Sequence, residues 1–468
     1  MQLRRNRWRI RLLPVVSLLL LTTAIADAQG PPGTDTLRLS LDEAVSRVLS
    51  ESEEIAAVRA QIDQAESQVT QATATALPQL STNLTYNRAI KTIFDDIGGE
   101  PAPGDTADNP FGDMFEDLPF GRPNNYIATF QLSQLLWSGG SVGAARDVAK
   151  RFTSASRDQL HETEADLTLQ TRTAYLNAVL AKRMHEIAVD SRDVADDHFK
   201  QVEAFYEAGT TSEFDLLRAR VDRENREPAV VQAANGVELA LLELKRLVNI
   251  PADRPLLLTT ELEIDSVDVD ADALAHLVNQ RPILHAAEEA VAMREGAVKI
   301  YRSQLLPSVR LLGNMGFQAF PDNMAPPGFD QWREDWNVSL AVSWNPFDGF
   351  RTRGMIGEAQ ALLRQAHVEE AQLLEGLEME LAAALAEYRR SQSQLSVTEE
   401  TVALAERTLE LADVRFANGL STQLEVSDAA LLLDQARVNH VQAQHDYVKA
   451  LAQLERTSGG QIQLLRFQ

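Results

Sequence analysis

Trp336-Asn337-Val338-Ser339-Leu340-Ala341-Val342-Ser343-Trp344-Asn345 alternates large apolar residues with small or polar ones at a period of two. In an extended strand that period puts every large apolar side chain on one face. Just upstream, Val309, Leu311, Met315 and Phe317 alternate with Arg310, Asn314 and Gln318. Pro307 ends whatever helix precedes them, because proline lacks an N–H and pushes its predecessor towards extended backbone. The same arrangement stands earlier in the chain. After Pro78, Leu80, Thr82, Leu84 and Tyr86 alternate with Ser81, Asn83, Thr85 and Asn87, and Tyr126, Ala128, Phe130 and Leu132 alternate with Ile127, Thr129, Gln131 and Ser133. The pattern predicts four strands, at about 79–90, 125–136, 308–320 and 336–345.

Strands of this length, apolar on one side and small or polar on the other, fit a membrane β-barrel with a wet interior. Four cannot close around water, and an open edge would leave backbone groups unpaired in lipid, so this reading requires the chain to oligomerise. The other reading is a β-sandwich inserted in a soluble coiled-coil protein. Trp336 and Trp344 at the two ends of one strand, with Tyr86 and Tyr126, favour the barrel, being placed as membrane-interface aromatics.

Outward from the strands, the chain is proline-free from Ser141 to about Glu207 and from Arg351 to about Phe416. Leu169, Leu176, Leu180, Met184 and Ile187 recur at coiled-coil spacing in the first stretch, and Leu374, Leu377, Leu381 and Leu385 in the second. Each stretch predicts one continuous helix roughly 100 Å long, which suits a periplasm-crossing tube or a filament. A glycine turn and a second long helix follow each. Pro228, inside the helix expected at about 212–248, predicts a bend there, and Val438 at the corresponding position does not.

The plan is written twice. Pro78 and Pro307 lie 229 residues apart, and the turns around Gly209 and Gly419 lie 210 apart. Two weakly similar halves suggest duplication and side-by-side packing. The predicted fold class is α+β, mainly α. A first repeat at 29–249 has helices at about 141–208 and 212–248, and a connecting segment at 250–270 follows it. A second repeat at 271–457 has helices at about 350–417 and 422–457, and a tail at 458–468 closes the chain. Each repeat is expected to open with a helix of about 35 residues before its strand pair.

Arg4, Arg5, Arg7, Arg9 and Arg11, the apolar run Leu12 to Leu21 and the small residues Ala24, Ala26 and Ala28 make residues 1–28 a secretory signal peptide rather than a membrane anchor. There is no cysteine, so neither disulfides nor a lipid-anchor thiol are available. Net charge is -24, near -28 once the signal is removed, which argues against nucleic acid as a partner. The loop at 91–124 is acidic and rich in proline and glycine, a charged extracellular mouth or simply a solvated loop. The eight histidines are scattered, and no phosphate loop, serine elbow or thiol nucleophile is present. No enzymatic activity and no cofactor are expected.

Leu41-Asp42-Glu43-Ala44, Leu77-Pro78 and Leu306-Pro307 before strands, Gly139-Gly140 and Asp348-Gly349 before the long helices, and the two glycine turns together resemble the TolC-like outer-membrane efflux proteins. The resemblance spans essentially the whole mature chain. It implies a homotrimer whose twelve strands form a barrel in outer-membrane lipid, continued by a periplasmic α-helical barrel. It also implies docking to a periplasmic adaptor and to an inner-membrane transporter of RND, ABC or MFS type. The competing expectation is a soluble periplasmic coiled-coil scaffold or adaptor.

The same resemblance carries pore-constriction roles over to Glu425 and Asp428, where three copies would ring the axis with six carboxylates. It places Gly209, Thr210, Ser212, Asp215, Gly419, Ser421 and Thr422 at the periplasmic tip turns. Phe205, Arg415 and Phe416 are candidate closed-state contacts, with a seam or solvated role as the alternative. Ser421, small and neutral, cannot supply a charged clasp. Ser212-Glu213-Phe214-Asp215 and Thr422-Gln423-Leu424-Glu425 also read as capping boxes, so capping competes with a gate role for Asp215 and Glu425, but not for Asp428.

Overall fold

The computed structural model describes residues 36–91, 122–260, 267, 269–321 and 323–459. The expected signal peptide at 1–28, most of the 91–124 loop and most of the 458–468 tail lie outside the described residues. In chain order the elements are β1 (Leu37–Leu39), α1 (Leu41–Glu51), α2 (Glu53–Ala74), β2 (Gln79–Arg88), β3 (Asn124–Trp137), α3 (Ser141–Glu207), α4 (Glu213–Leu247) and β4 (Leu256–Leu258). Then come α5 (Ala271–Val278), α6 (Pro282–Ser303), β5 (Ser308–Ala319), β6 (Arg333–Ser343), α7 (Arg351–Ala417) and α8 (Gln423–Thr457). The fold is mainly helical, and α3 and α7 are each 67 residues long. No helix among the described residues is long and apolar enough to cross a membrane.

The opening helices differ from expectation. Where one helix of about 35 residues was expected, the first half has two. Ser52 adopts extended backbone (φ -66°, ψ 131°) and accepts from the Glu54 N–H, ending α1 and capping α2. The break lets Leu41, Ala44, Val48 and Ile55 all turn into one core. In the second half α5 and α6 are likewise separate, with Pro282 in the first turn of α6. Pro228 does not interrupt α4; it sits exposed, so the carbonyl it releases can be hydrated.

Two cores hold the helices. The first gathers Leu39, Leu41, Leu167, Tyr175, Val179, Leu244 and Val248 around β1 and β4, which pair in parallel. There the Tyr175 hydroxyl donates to Leu39 O at 3.0 Å and accepts from Thr260 N at 3.0 Å. The second gathers Leu274, Leu284, Leu377, Leu381, Tyr388, Tyr447 and Leu451. There the Tyr388 hydroxyl donates to Val267 O, and the Tyr447 hydroxyl accepts from Val267 N at 3.2 Å.

A buried ionic hub joins the halves. Arg281, 1% exposed, donates to Glu162 at 2.6 Å and to Glu380 at 2.8 Å. Arg456 reaches Glu162 at 2.6 Å and Asp166 at 2.5 Å, and Arg172 pairs with Glu455. Each of these charges meets an opposite charge and at least one hydrogen bond, which offsets the cost of burial, while Glu162 Oε2, Arg281 Nε and Arg456 Nη1 find no partner among the described residues.

Candidate functional site

Two parts of the fold carry the predicted residues: a four-stranded sheet at one end and the helical turns at the other. The sheet has strand order β2-β3-β5-β6, antiparallel throughout. Register aligns the alternation of all four strands. Leu80, Leu132, Gly313 and Val338 form one cross-strand row, and Thr82, Phe130, Met315 and Trp336 the next. The opposite face carries Ser81, Gln131, Asn314 and Asn337, then Asn83, Thr129, Gly316 and Asp335. A bulge at Leu136 reverses the parity of β3 and brings Trp137 opposite Val309, on the apolar side.

The apolar face is bare. Leu80, Leu84, Trp336 and Val338 are each at least 70% exposed. Both edges, β2 and β6, are about ten residues long and have no strand partner on their outer side among the described residues. An uncovered apolar face with two long open edges is a surface that requires a partner phase or partner chains.

The aromatics sit unevenly on this sheet. Tyr86 and Tyr126 face each other across β2 and β3, with ring centroids 4.6 Å apart. Their hydroxyls donate to Asn124 Oδ1 at 2.8 Å and Met324 O at 2.9 Å. Trp344 lies just past β6 and donates from Nε1 to Leu305 O at 3.2 Å, beside the helical end. Trp336 is not at a strand end, because β6 begins three residues earlier, at Arg333.

At the far end, both hairpin turns are five-residue connections with glycine in the left-handed region, Gly209 at φ +72° and Gly419 at φ +71°. Thr210 N donates to Phe205 O at 2.9 Å and Leu420 N to Arg415 O at 2.8 Å, which satisfies the helix-end carbonyls. Thr210 Oγ1 also donates to Phe205 O, at 2.9 Å.

The two helix starts are not equivalent. Ser212 Oγ accepts from Asp215 N at 3.2 Å and donates to Asp215 Oδ2 at 2.6 Å; Thr211 donates to the same carboxylate oxygen at 3.2 Å. Those hydroxyl donors, Ser212 first, hold the Asp215 carboxyl below the usual carboxylate range. Thr422 makes no side-chain cap bond; its hydroxyl donates to Glu425 Oε1 at 3.5 Å. Glu425 lies 3.8 Å from Arg415 Nη2, which also donates to Leu420 O at 3.2 Å, so Arg415 straps its own turn. Asp428 is exposed, and Ser421 Oγ donates to Ala412 O at 3.3 Å.

Phe205 and Phe416 meet across the hairpins, with ring centroids 5.9 Å apart. Sequence reasoning missed other ties between the hairpins. Gln423 is 4% exposed, and its amide group, with nitrogen towards α4, lies 2.8 Å from Asp215 O. Ser191 of α3 donates to Asp434 Oδ2 of α8 at 2.7 Å, and Arg226 of α4 donates to both. Among the described residues no group of three or more His, Asp or Glu could hold a metal ion.

The sequence profile described as "Outer membrane efflux protein" matches residues 44–249 and 273–460, well over half of the chain. The chain belongs to the outer membrane efflux protein family. It is similar to the pyoverdine export outer membrane protein OpmQ of Pseudomonas aeruginosa, 25% identical over 436 residues, 90% of this chain and 85% of OpmQ. It is similar also to the alkaline protease secretion protein AprF of the same organism, 23% identical, covering 74% of this chain and 72% of AprF. Among solved structures, the CmeC outer membrane channel of Campylobacter jejuni superposes with a TM-score of 0.75 at 18% identity, over 90% of this chain and 85% of CmeC. As an outer membrane efflux protein the chain is a passive outer-membrane channel with a large periplasmic portion, not an enzyme. A soluble periplasmic scaffold is not favoured.

Proposed function

We propose that three copies of this outer membrane efflux protein close their four-stranded sheets edge to edge into a twelve-stranded barrel. Their hairpins continue as an α-helical barrel through the periplasm. The observation that carries this is the sheet: an aligned apolar face, an aligned polar face and two open edges. In lipid every backbone group needs a partner, so β2 of one copy must pair with β6 of the next. The apolar face then meets outer-membrane lipid and the polar face lines water. Tyr86, Tyr126 and Trp344 act as interface aromatics, whereas Trp336 lies inside β6, two residues from its midpoint, and faces lipid.

The two halves of each chain act as pseudo-symmetric repeats, so three chains present six hairpins around one bore. Gly209 and Gly419, with Thr210, Ser212, Asp215, Ser421 and Thr422, form the tips that meet a periplasmic adaptor. Through the adaptor the duct receives cargo from an inner-membrane transporter, in a tripartite efflux or type I secretion system. Relatives named for pyoverdine export and alkaline protease secretion support a wide bore that leaves cargo choice to its partners.

Asp428 and Glu425 form the constriction. Asp428 is the dominant charge, because Glu425 is partly offset by Arg415 at 3.8 Å. A ring of carboxylates attracts cations and repels anions. In planar bilayers Asp428→Ala, alone or with Glu425→Ala, raises single-channel conductance and weakens block by multivalent cations; unchanged conductance in both refutes the assignment.

A further inference from the structure

A cavity of about 510 Å³ lies between α3, α4, α7 and α8, just above the turns. His198 of α3 lines it, with its ring packed on Phe416 of α7 at a centroid distance of 5.4 Å. Phe416 in turn packs on Phe205, so the three rings form a stack that joins the hairpins. His198 Nε2 is shut off from solvent and has no hydrogen-bond partner among the described residues, and Ser427 Oγ of α8 is in the same state.

Charged groups face this space from every helix. Asp190 and Asp197 come from α3, Asp222 and Arg226 from α4, Asp413 from α7, and Asp434 and Arg437 from α8. Five of them are already paired. Arg226 binds Asp434 and lies 3.5 Å from Asp222, Arg437 pairs with Glu406 at 3.1 Å, and Asp197 pairs with Lys200 at 3.2 Å. Asp413 and Asp222 are the carboxylates whose charge acts on His198.

We propose that His198 is a proton sensor: mild acid protonates its enclosed Nε2 and drives α3 away from Phe416 and α7, loosening the junction between the hairpins above the tips. The proposal rests on the reading of the chain as a channel whose tips open. A proton on Nε2 has no acceptor in the packed arrangement, whereas separation lets water solvate the imidazolium. Burial already pushes the imidazole below its ordinary value, while the charges of Asp413 and Asp222 act in the opposite sense.

A base that binds its proton more weakly when packed shifts the balance towards separation as acid is added. The junction is therefore intact above about pH 6.5 and weakens as pH falls from there towards the lowered value. Asp413 works the other way. Burial raises its pKa, so its uncharged form favours packing at lower pH. Loosening is thus greatest in mild acid and partly reverses below it.

Backbone amide exchange reads local opening of the junction without an engineered probe. Hydrogen exchange is followed on the full mature chain in detergent at about pH 7.5 and pH 5.5, across the range where histidine titrates. Peptides covering 191–201 and 409–417 are corrected for intrinsic exchange and referenced to 443–454. Wild type is expected to lose protection severalfold in both peptides at the lower pH. His198→Gln and the ring-keeping His198→Phe are expected to hold it. Bilayer conductance at neutral pH, measured on the same preparation, tests the channel reading separately. An acid response that persists in both variants, or its absence in wild type, overturns the proposal.

Discussion

An arginine at Val338 separates the two faces of the sheet energetically. Val338 is the middle residue of β6, 70% exposed, on the row it shares with Leu80, Leu132 and Gly313. Gly313 opposite offers no side chain to cover a guanidinium. If that row faces the bilayer midplane, Val338→Arg costs about 2–4 kcal/mol per chain, and three chains bring the cost to roughly 6–12 kcal/mol per assembly. Asn337→Arg, one residue away, points to the polar face. It loses only an exposed side-chain hydrogen bond with Asn314 at 3.3 Å, a cost of about 1 kcal/mol or less. The assay is urea-induced unfolding from lipid vesicles, at one fixed protein concentration because assembly makes apparent stability concentration-dependent. Equal shifts for the two variants, or a larger one for Asn337→Arg, would refute the assignment of faces.

Other consequences follow from the helical part. Arg281→Leu leaves the nearly buried Glu162 with one partner fewer and is expected to cost about 3–5 kcal/mol in thermal or chemical unfolding. Arg157→Ala, which breaks an exposed pair with Glu66, costs about 1 kcal/mol or less. Ser212→Ala removes a formed cap and should cost about 1 kcal/mol, more than Thr422→Ala, whose hydroxyl caps nothing; hydrogen exchange at the two helix starts reads the difference. The His285 imidazole, hydrogen-bonded to Asp158 at 2.7 Å, is raised above its ordinary value. Its contribution is full below about pH 6.5 and disappears as pH rises through the raised value. Asp158→Asn should lower the NMR titration of His285, with Glu289 and Glu288 still acting to raise it.

The parts of the fold legible in the sequence were those whose signal is local. Strict alternation from Trp336 to Ser343 marks a strand whatever surrounds it, and proline-free stretches with apolar residues every three or four positions mark long helices. The Ser52 break was not legible. Serine is also tolerated inside helices, and what selects its extended backbone is the core that both flanking helices must reach.

At the tips, the matching motifs of Ser212 and Thr422 suggested matching caps. Side-chain orientation separates them, with Asp215 held by two hydroxyls and Glu425 drawn between Thr422 and Arg415. The ties between the hairpins were invisible for a different reason. Ser191 and Asp434 are 243 residues apart, and nothing in either neighbourhood marks the other. Gln423 reads as an ordinary surface residue until α4 is packed over it.

The account stands on the sheet closing between chains rather than within one. The direct test is the mass of the processed protein extracted from outer membranes in mild detergent. Three chains per particle are predicted, with no protein released into a detergent-free wash. A single chain stable in plain buffer would contradict the account.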